Sequence, residues 1–353
     1  MAQWQKIKIT RENGEEVDAQ APIIISASRS TDIPAFYADW FFHRLKQGYS
    51  AWTNPFNGVK SYVSYKNARF FVFWSKNPKP LLNHIDELKK MNFYIQFTLN
   101  DYVSECLEKG VPSLEERIET FKQLVKTFGK GRVIWRFDPL ILTDKITVDD
   151  LLRKVENIGD QLFGYTEKLV FSFADIALYK KVKSNLEKNK INYSEWTENQ
   201  MFDFAKSLSE LNKKWNFQLA TCGEKIDISQ FGIQHNKCID DDLMIRFAKN
   251  DKVLMDYLGV EIVNSLFEGE KIIKKKDNRD KGQRQFCGCI VSKDIGEYNT
   301  CPHLCEYCYA NTSKEVARKN YEQAKQLGLI SETIRENYAN RANKDFIFFL
   351  KKH

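Results

Sequence analysis

The chain has 353 residues, 42% apolar and 29% charged, an ordinary composition for a soluble globular protein and enough for one large domain or two smaller ones. No stretch approaches the roughly 18 uninterrupted apolar residues of a membrane span, and the polar opening MAQWQKIKITRENGEE lacks the apolar core of a signal peptide, so a cytoplasmic protein is expected. The formal charge of +7, from 54 basic and 47 acidic residues, tolerates a polyanionic partner without requiring one.

Short runs rich in Phe, Ile, Val and Trp alternate with helical patterns. In chain order the runs are 22–28, 48–54, 69–76, 92–100, 132–139, 168–175, 216–224 and 286–291. Capping-box signatures open several helices: Ser113 with Glu116, Thr197 with Gln200, Thr312 with Glu315. Eight strands separated mainly by helices predict a parallel sheet, and with no Gly-rich dinucleotide fingerprint after the first strand, a closed (β/α)8 TIM-type barrel is favoured over an open one. Residues 1–353 then form a single β/α barrel domain. Segment 22–224 supplies the first seven strand–helix units, 225–311 is a cysteine-rich segment, and 312–353 forms C-terminal helices ending in an apolar FIFFL.

Strand parity supports this reading. Ile95, Phe97 and Leu99 make one apolar row, opposed by Gln96, Thr98 and Asn100; Val133, Trp135 and Phe137 oppose Arg136 and Asp138; Phe217 and Leu219 oppose Gln218, Cys222 and Glu224. One face is built to pack under helices, and the other turns polar towards the strands' carboxyl ends, where barrel enzymes place their sites.

The strand ends therefore supply the candidate catalytic and binding residues. Ser26 to Asp32 runs from the first strand into a helix near Pro34, and its hydroxyls, Arg29 and backbone N–H groups make a carboxylate or anion site. Ser28 and Arg29 are binding candidates, and Arg29, Asp32, Lys76, Arg136 and Asp138 are catalytic candidates. Asp32 reads equally as a helix cap, and Arg136 and Asp138 as an ion pair. Two basic runs, 179–190 and 271–285, read as solvated segments, the second directly before the cysteines.

Seven of the eight cysteines lie beyond residue 220. In a large chain without a targeting signal, metal binding explains them better than disulfides. Cys301, Cys305 and Cys308 in NTCPHLCEYCYAN have the spacing C-x3-C-x2-C, with Tyr307 before the last. Three thiolates on a short loop can hold three irons of a cubane and leave the fourth open. A structural zinc would need a fourth ligand, from His303 or a distant cysteine. Cys222, Cys238, Cys287 and Cys289 form a second group, suited to a second 4Fe-4S cluster or zinc, with simple burial as the alternative for Cys222 and Cys238.

This loop resembles the cluster motif of the radical S-adenosylmethionine (SAM) superfamily. The resemblance implies a 4Fe-4S cluster whose open iron chelates SAM, and one-electron cleavage to a 5′-deoxyadenosyl radical. It also implies a reductant such as flavodoxin or ferredoxin. Tyr307, Ser28, Arg29 and Glu224 of Thr-Cys-Gly-Glu are then the cofactor-binding candidates. The superfamily's loop follows its first strand, so a circularly permuted barrel is implied, with 286–296 supplying the strand before the loop and Thr312 onward the helix after it. The chain also resembles, near full length, a bacterial family known as a domain of unknown function. The matching pieces are 26–41, 74–78, 136–139, Thr-Cys-Gly-Glu and the terminal cysteines.

The expectation is an iron–sulfur protein of radical-SAM type acting on a polar or anionic small molecule. The alternatives are a non-catalytic 4Fe-4S electron carrier or redox sensor, and a zinc-stabilised nucleic-acid-binding module using the basic runs.

Overall fold

The computed structural model describes residues 4–54, 58–265 and 269–335. Eight strands form one sheet: β1 (Ile24–Ala27), β2 (Phe70–Ser75), β3 (Phe93–Thr98), β4 (Val133–Leu140), β5 (Lys168–Phe173), β6 (Gln218–Thr221), β7 (Gln234–His235) and β8 (Lys293–Asp294). Its order is β7-β6-β5-β4-β3-β2-β1-β8, and every adjacent pair is parallel. Parallel neighbours need crossovers of a dozen residues or more. Four of the helices in this chain are α1 (Ala38–Gln47), α2 (Leu114–Phe128), α3 (Val148–Leu162) and α4 (Glu198–Asn212); α5 (Lys314–Leu327) follows the cysteine loop.

Side-chain alternation sorts each strand as the sequence predicts. Ile95, Phe97, Leu99, Val133, Trp135, Phe137, Phe217 and Leu219 join the large core beneath the helices. On the opposite face Ile24, Phe70, Val72, Tyr94, Ile134 and Val170 pack with Cys238, Ile239, Cys287, Cys289 and Ile290. Above them the same face carries buried Ser26, Gln96, Arg136 and Ser172.

Helix starts follow local chemistry. Ser113 accepts the N–H of Glu116, and Thr197 and Gln200 form the reciprocal box. The cap of α5 is Ser313, bonded by Val316, one residue beyond the expected Thr312. Thr147 and Asp150 add a box that the sequence analysis missed.

Three expectations change. Run 48–54 does form a strand, Tyr49–Thr53, but pairs antiparallel with Lys60–Ser64 in a separate four-stranded sheet. Its nearest sequence neighbour offers a hairpin partner, a shorter closure than a parallel crossover. Segment 22–224 therefore holds six strands of the main sheet. Run 286–291 makes a single bridge, Arg279 to Ile290. Cys287 N–H bonds back to Arg284 O, and Cys289 O accepts from Asp280 N–H, so its backbone groups are engaged in turns. Finally, no strand ladder joins β7 to β8 among the described residues, so the closed barrel is not seen; one backbone bond, Ile290 N–H to Ile239 O (3.1 Å), spans the two edges. FIFFL lies outside the described residues. Among the described residues, no helix is long and apolar enough to cross a membrane.

The segment after α5 is fastened to the small sheet through Glu332. Arg11 donates from Nε and Nη2 to its two carboxylate oxygens (2.9 and 2.8 Å), and Tyr49 Oη donates at 2.8 Å. Burial alone would push this carboxyl up, but Arg11, Tyr49 and Lys60 hold it at about 2, below the ordinary 4.5. Its stabilisation is therefore complete above about pH 4.5 and is lost as pH falls towards 2. Glu332→Gln is expected to cost about 1–3 kcal/mol at neutral pH. Urea melts across that window should show a smaller acid-induced loss in the variant; parallel curves would refute the role.

Candidate functional site

The cysteine loop lies over the carboxyl ends of β1, β2 and β3. Residues 107–110 run alongside it: Glu306 N–H bonds Leu107 O (2.9 Å), Gly110 N–H bonds His303 O (2.9 Å), and Glu108 bridges Cys305. A Cβ on Gly110 would meet Pro302 O at 2.6 Å, so only glycine admits this close approach. Tyr37 Oη donates to Thr300 O (2.6 Å) and Asn311 Nδ2 to Cys301 O (2.8 Å), fixing both ends of the loop. Leu304 adopts φ +57°, which turns the chain between the first two cysteines. Cys305 is buried, and Cys301 and Cys308 are half-buried.

Burial pushes all three thiols above their ordinary range, with Asp32 adding to the effect at Cys301 and Lys76 opposing it at Cys305. Buried thiolates here need a cationic partner, as a bound metal would provide. His303 is not free to serve as a fourth ligand. Its Nε2 lies 2.7 Å from Asp32 Oδ2 and its Nδ1 3.1 Å from Gly110 O, so both nitrogens face oxygen acceptors.

The strand-end candidates fall into four sets. Asp32 positions the loop: Oδ1 accepts Ala35 N–H as a helix cap (3.0 Å), and Oδ2 accepts Lys76 N–H (2.7 Å) besides meeting His303. Lys76 and Tyr307 belong to a buried network with Glu108, Asn100 and Arg117. Lys76 Nζ lies 2.7 Å from Glu108 Oε1 and 2.9 Å from Tyr307 Oη, and Tyr307 donates to Glu108. Burial opposes the Lys76 charge but Glu108 raises it above its ordinary value; Lys76 and Arg117 in turn hold Glu108 down at about 2. The Tyr307 hydroxyl is thus directed into this network.

The third set faces the sheet's inner surface. Arg136 pairs with Asp138, and Ser172 donates to Asp138. Burial works against the Asp138 carboxylate, and Arg136 and Ser172 together hold it below its ordinary value. Glu224 Oε1 accepts Phe173 N–H (3.0 Å), and burial, with Cys222 nearby, lifts it to about 8.

Ser28 is occupied with its own turn, accepting the N–H groups of Ser30 and Thr31 (3.0 and 3.3 Å). Arg29 is anchored by its backbone, its N–H on Asp294 Oδ2 (2.7 Å) and its carbonyl on Tyr309 Oη (2.9 Å). Its guanidinium lies over Trp74, with Nη2 buried and without a hydrogen-bond partner.

Asp294, Glu108 and the His303–Asp32 pair were not anticipated. Asp294 on β8 accepts from Ser26, Arg29, Ser30 and Gly296, and so holds the β1 turn. The second cysteine group gathers where β6, β7 and the approach to β8 meet, with Cys222 and Cys238 sulfurs 3.3 Å apart. Cys106 is exposed and in neither group.

No curated protein matches the chain. The family model described as Domain of unknown function (DUF1848) matches residues 24–310, from β1 to just past the cysteine loop, and the chain belongs to that family.

Proposed function

We propose that the chain is an iron–sulfur enzyme of radical-SAM type, with Cys301, Cys305 and Cys308 as ligands of a 4Fe-4S cluster on a permuted (β/α)8 barrel. The observation that carries this reading is the engagement of both His303 nitrogens by Asp32 and Gly110. It leaves the loop as a three-thiol donor set, which suits a cubane with an open iron better than a closed structural zinc. Such a cluster, when bound, would supply the electron for reductive cleavage of SAM.

The sheet order supports the barrel. Seven strands neighbour one another in chain order and β8 lies beside β1, as a barrel requires, with the loop and α5 following β8 as the permutation expects. The chain's own residues have separate tasks. Asp32 and His303 hold the loop over β1. Arg136, Asp138, Ser172 and Glu224 offer a polar inner surface to SAM and substrate. Glu224, raised to about 8, would present a protonated carboxyl at neutral pH unless a cationic amino group arrives beside it.

The nucleic-acid alternative gains little from the basic run, since Lys274 pairs with Asp241 and Lys275 with Glu261. The test is anaerobic reconstitution with iron and sulfide, then reduction in the presence of SAM. A SAM-dependent change in the reduced cluster's paramagnetic signal and formation of 5′-deoxyadenosine are expected. A signal indifferent to SAM would leave only an electron carrier.

A further inference from the structure

Cys222, Cys238, Cys287 and Cys289 come from three places: the end of β6, the residues after β7, and the approach to β8. The Cys222 and Cys238 sulfurs are 3.3 Å apart, and Cys238, Cys287 and Cys289 are buried in one cluster against which Cys222 packs. Segment 287–289 lies flat on 236–238: a Cβ on Gly288 would meet Lys237 Cγ at 3.0 Å and Asn236 O at 3.4 Å.

The donors around these sulfurs exceed what neutral thiols need. Cys238 Sγ receives Arg136 Nη1 (3.0 Å) and Asn236 Nδ2 (3.3 Å). Cys289 Sγ receives the backbone N–H groups of Cys238 (3.2 Å) and Ile239 (3.4 Å). N–H groups aimed at sulfur stabilise thiolate and orient it for a metal. The Arg29 guanidinium lies over Trp74, which packs against the same cluster, and its Nη2 is one of the buried groups without a hydrogen-bond partner. Four thiolates around a divalent ion make a dianion, and Arg136, shared with Asp138, places a guanidinium against it. A neutral disulfide between Cys222 and Cys238 would leave Arg136 Nη1 facing uncharged sulfur.

We propose that these four cysteines bind a single zinc ion that fastens the β6–β7 edge of the sheet to the approach to β8, where no strand ladder joins them among the described residues. In a tetrahedral tetrathiolate site neighbouring sulfurs lie about 3.8 Å apart at a Zn–S length of about 2.3 Å. The Cys222–Cys238 approach of 3.3 Å matches this better than the wider spread of a cubane, whose thiolates each sit on a different iron. No three of the four sulfurs lie mutually within 4.8 Å among the described residues, so binding draws the other two in towards the Cys222–Cys238 pair and releases the thiol protons. The ion holds β8 in register with the rest of the sheet, and through Asp294 it steadies the β1 turn.

The assignment does not depend on the loop cluster, and the experiment keeps the two apart. The full chain is purified without oxygen, and zinc and iron are measured in wild type, in the triple variant C301S/C305S/C308S, and in C287S/C289S. One zinc per chain should persist in the triple variant, whereas C287S/C289S should lose zinc and keep its capacity for iron. If C287S/C289S fails to fold, cobalt substitution of the wild type replaces it. Cobalt should give the thiolate charge-transfer and tetrahedral ligand-field bands of four-sulfur coordination. Zinc-free protein that binds no cobalt, a Cys222–Cys238 disulfide in thiol titration, or iron that follows Cys287 and Cys289 would each overturn the assignment.

Discussion

Cys305→Ser is expected to reduce iron loading to background and abolish the visible absorbance of the reconstituted protein. Cys305 is the most buried of the loop thiols, and its backbone is bridged to Glu108, so the loop cannot swing another sulfur into its place. A serine oxygen in that buried position is a poor substitute for the thiolate on which iron–sulfur clusters depend. Cys301→Ser and Cys308→Ser should behave alike, because a three-thiol set has no spare ligand. His303→Gln is the informative contrast. If His303 positions the loop through Asp32 and Gly110, its loss should lower cluster affinity by no more than about tenfold, the low end for supporting residues. If it is a ligand, iron falls as far as in the cysteine variants. Iron and sulfide analysis of the four variants decides this, and undiminished iron in Cys305→Ser would end the loop-cluster reading.

Much of the sheet was legible because alternation is a local signal. Phe97 against Gln96 and Trp135 against Arg136 announce two faces within a few residues. β7 was not legible, and β8 only as part of the wider stretch 286–296, since Gln234–His235 and Lys293–Asp294 are two-residue strands whose place in the sheet is set by what they lie against. Tyr49–Thr53 misled for the opposite reason: its strand pattern is genuine, but pattern does not say which sheet a strand joins.

The site divides in the same way. The cysteine spacing is compact and could be read directly. Tyr307 could be singled out by its place before Cys308, but the direction of its hydroxyl depends on Glu108, 199 residues earlier. The Asp32–His303 pair spans 271 residues and leaves no trace in either neighbourhood. Polar partners of buried loops are settled by tertiary approach, and single-sequence spacing does not record it.

Glu108→Ala is expected to be among the most destabilising single changes in the protein. Glu108 accepts from Lys76 (2.7 Å), Asn100 (3.1 Å) and Tyr307, and lies 3.8 Å from Arg117, whose side chain is 1% exposed. Removing the carboxylate leaves two cations in the interior without their shared counter-charge, and breaking a buried pair in this way costs about 3–5 kcal/mol. Lys76→Met should cost less, because Arg117 remains to face Glu108. The double variant K76M/E108L should recover part of the loss, since a buried charge pair is often replaceable by apolar groups while half of one is not. Urea unfolding of the metal-free forms separates this from any effect on cluster binding. A Glu108→Ala loss below about 1 kcal/mol, the size of an ordinary substitution, would mean the network is solvated and does not brace the loop. With the expected loss, the carboxylate that braces Cys305 from behind is as much a condition of the site as the sulfur in front.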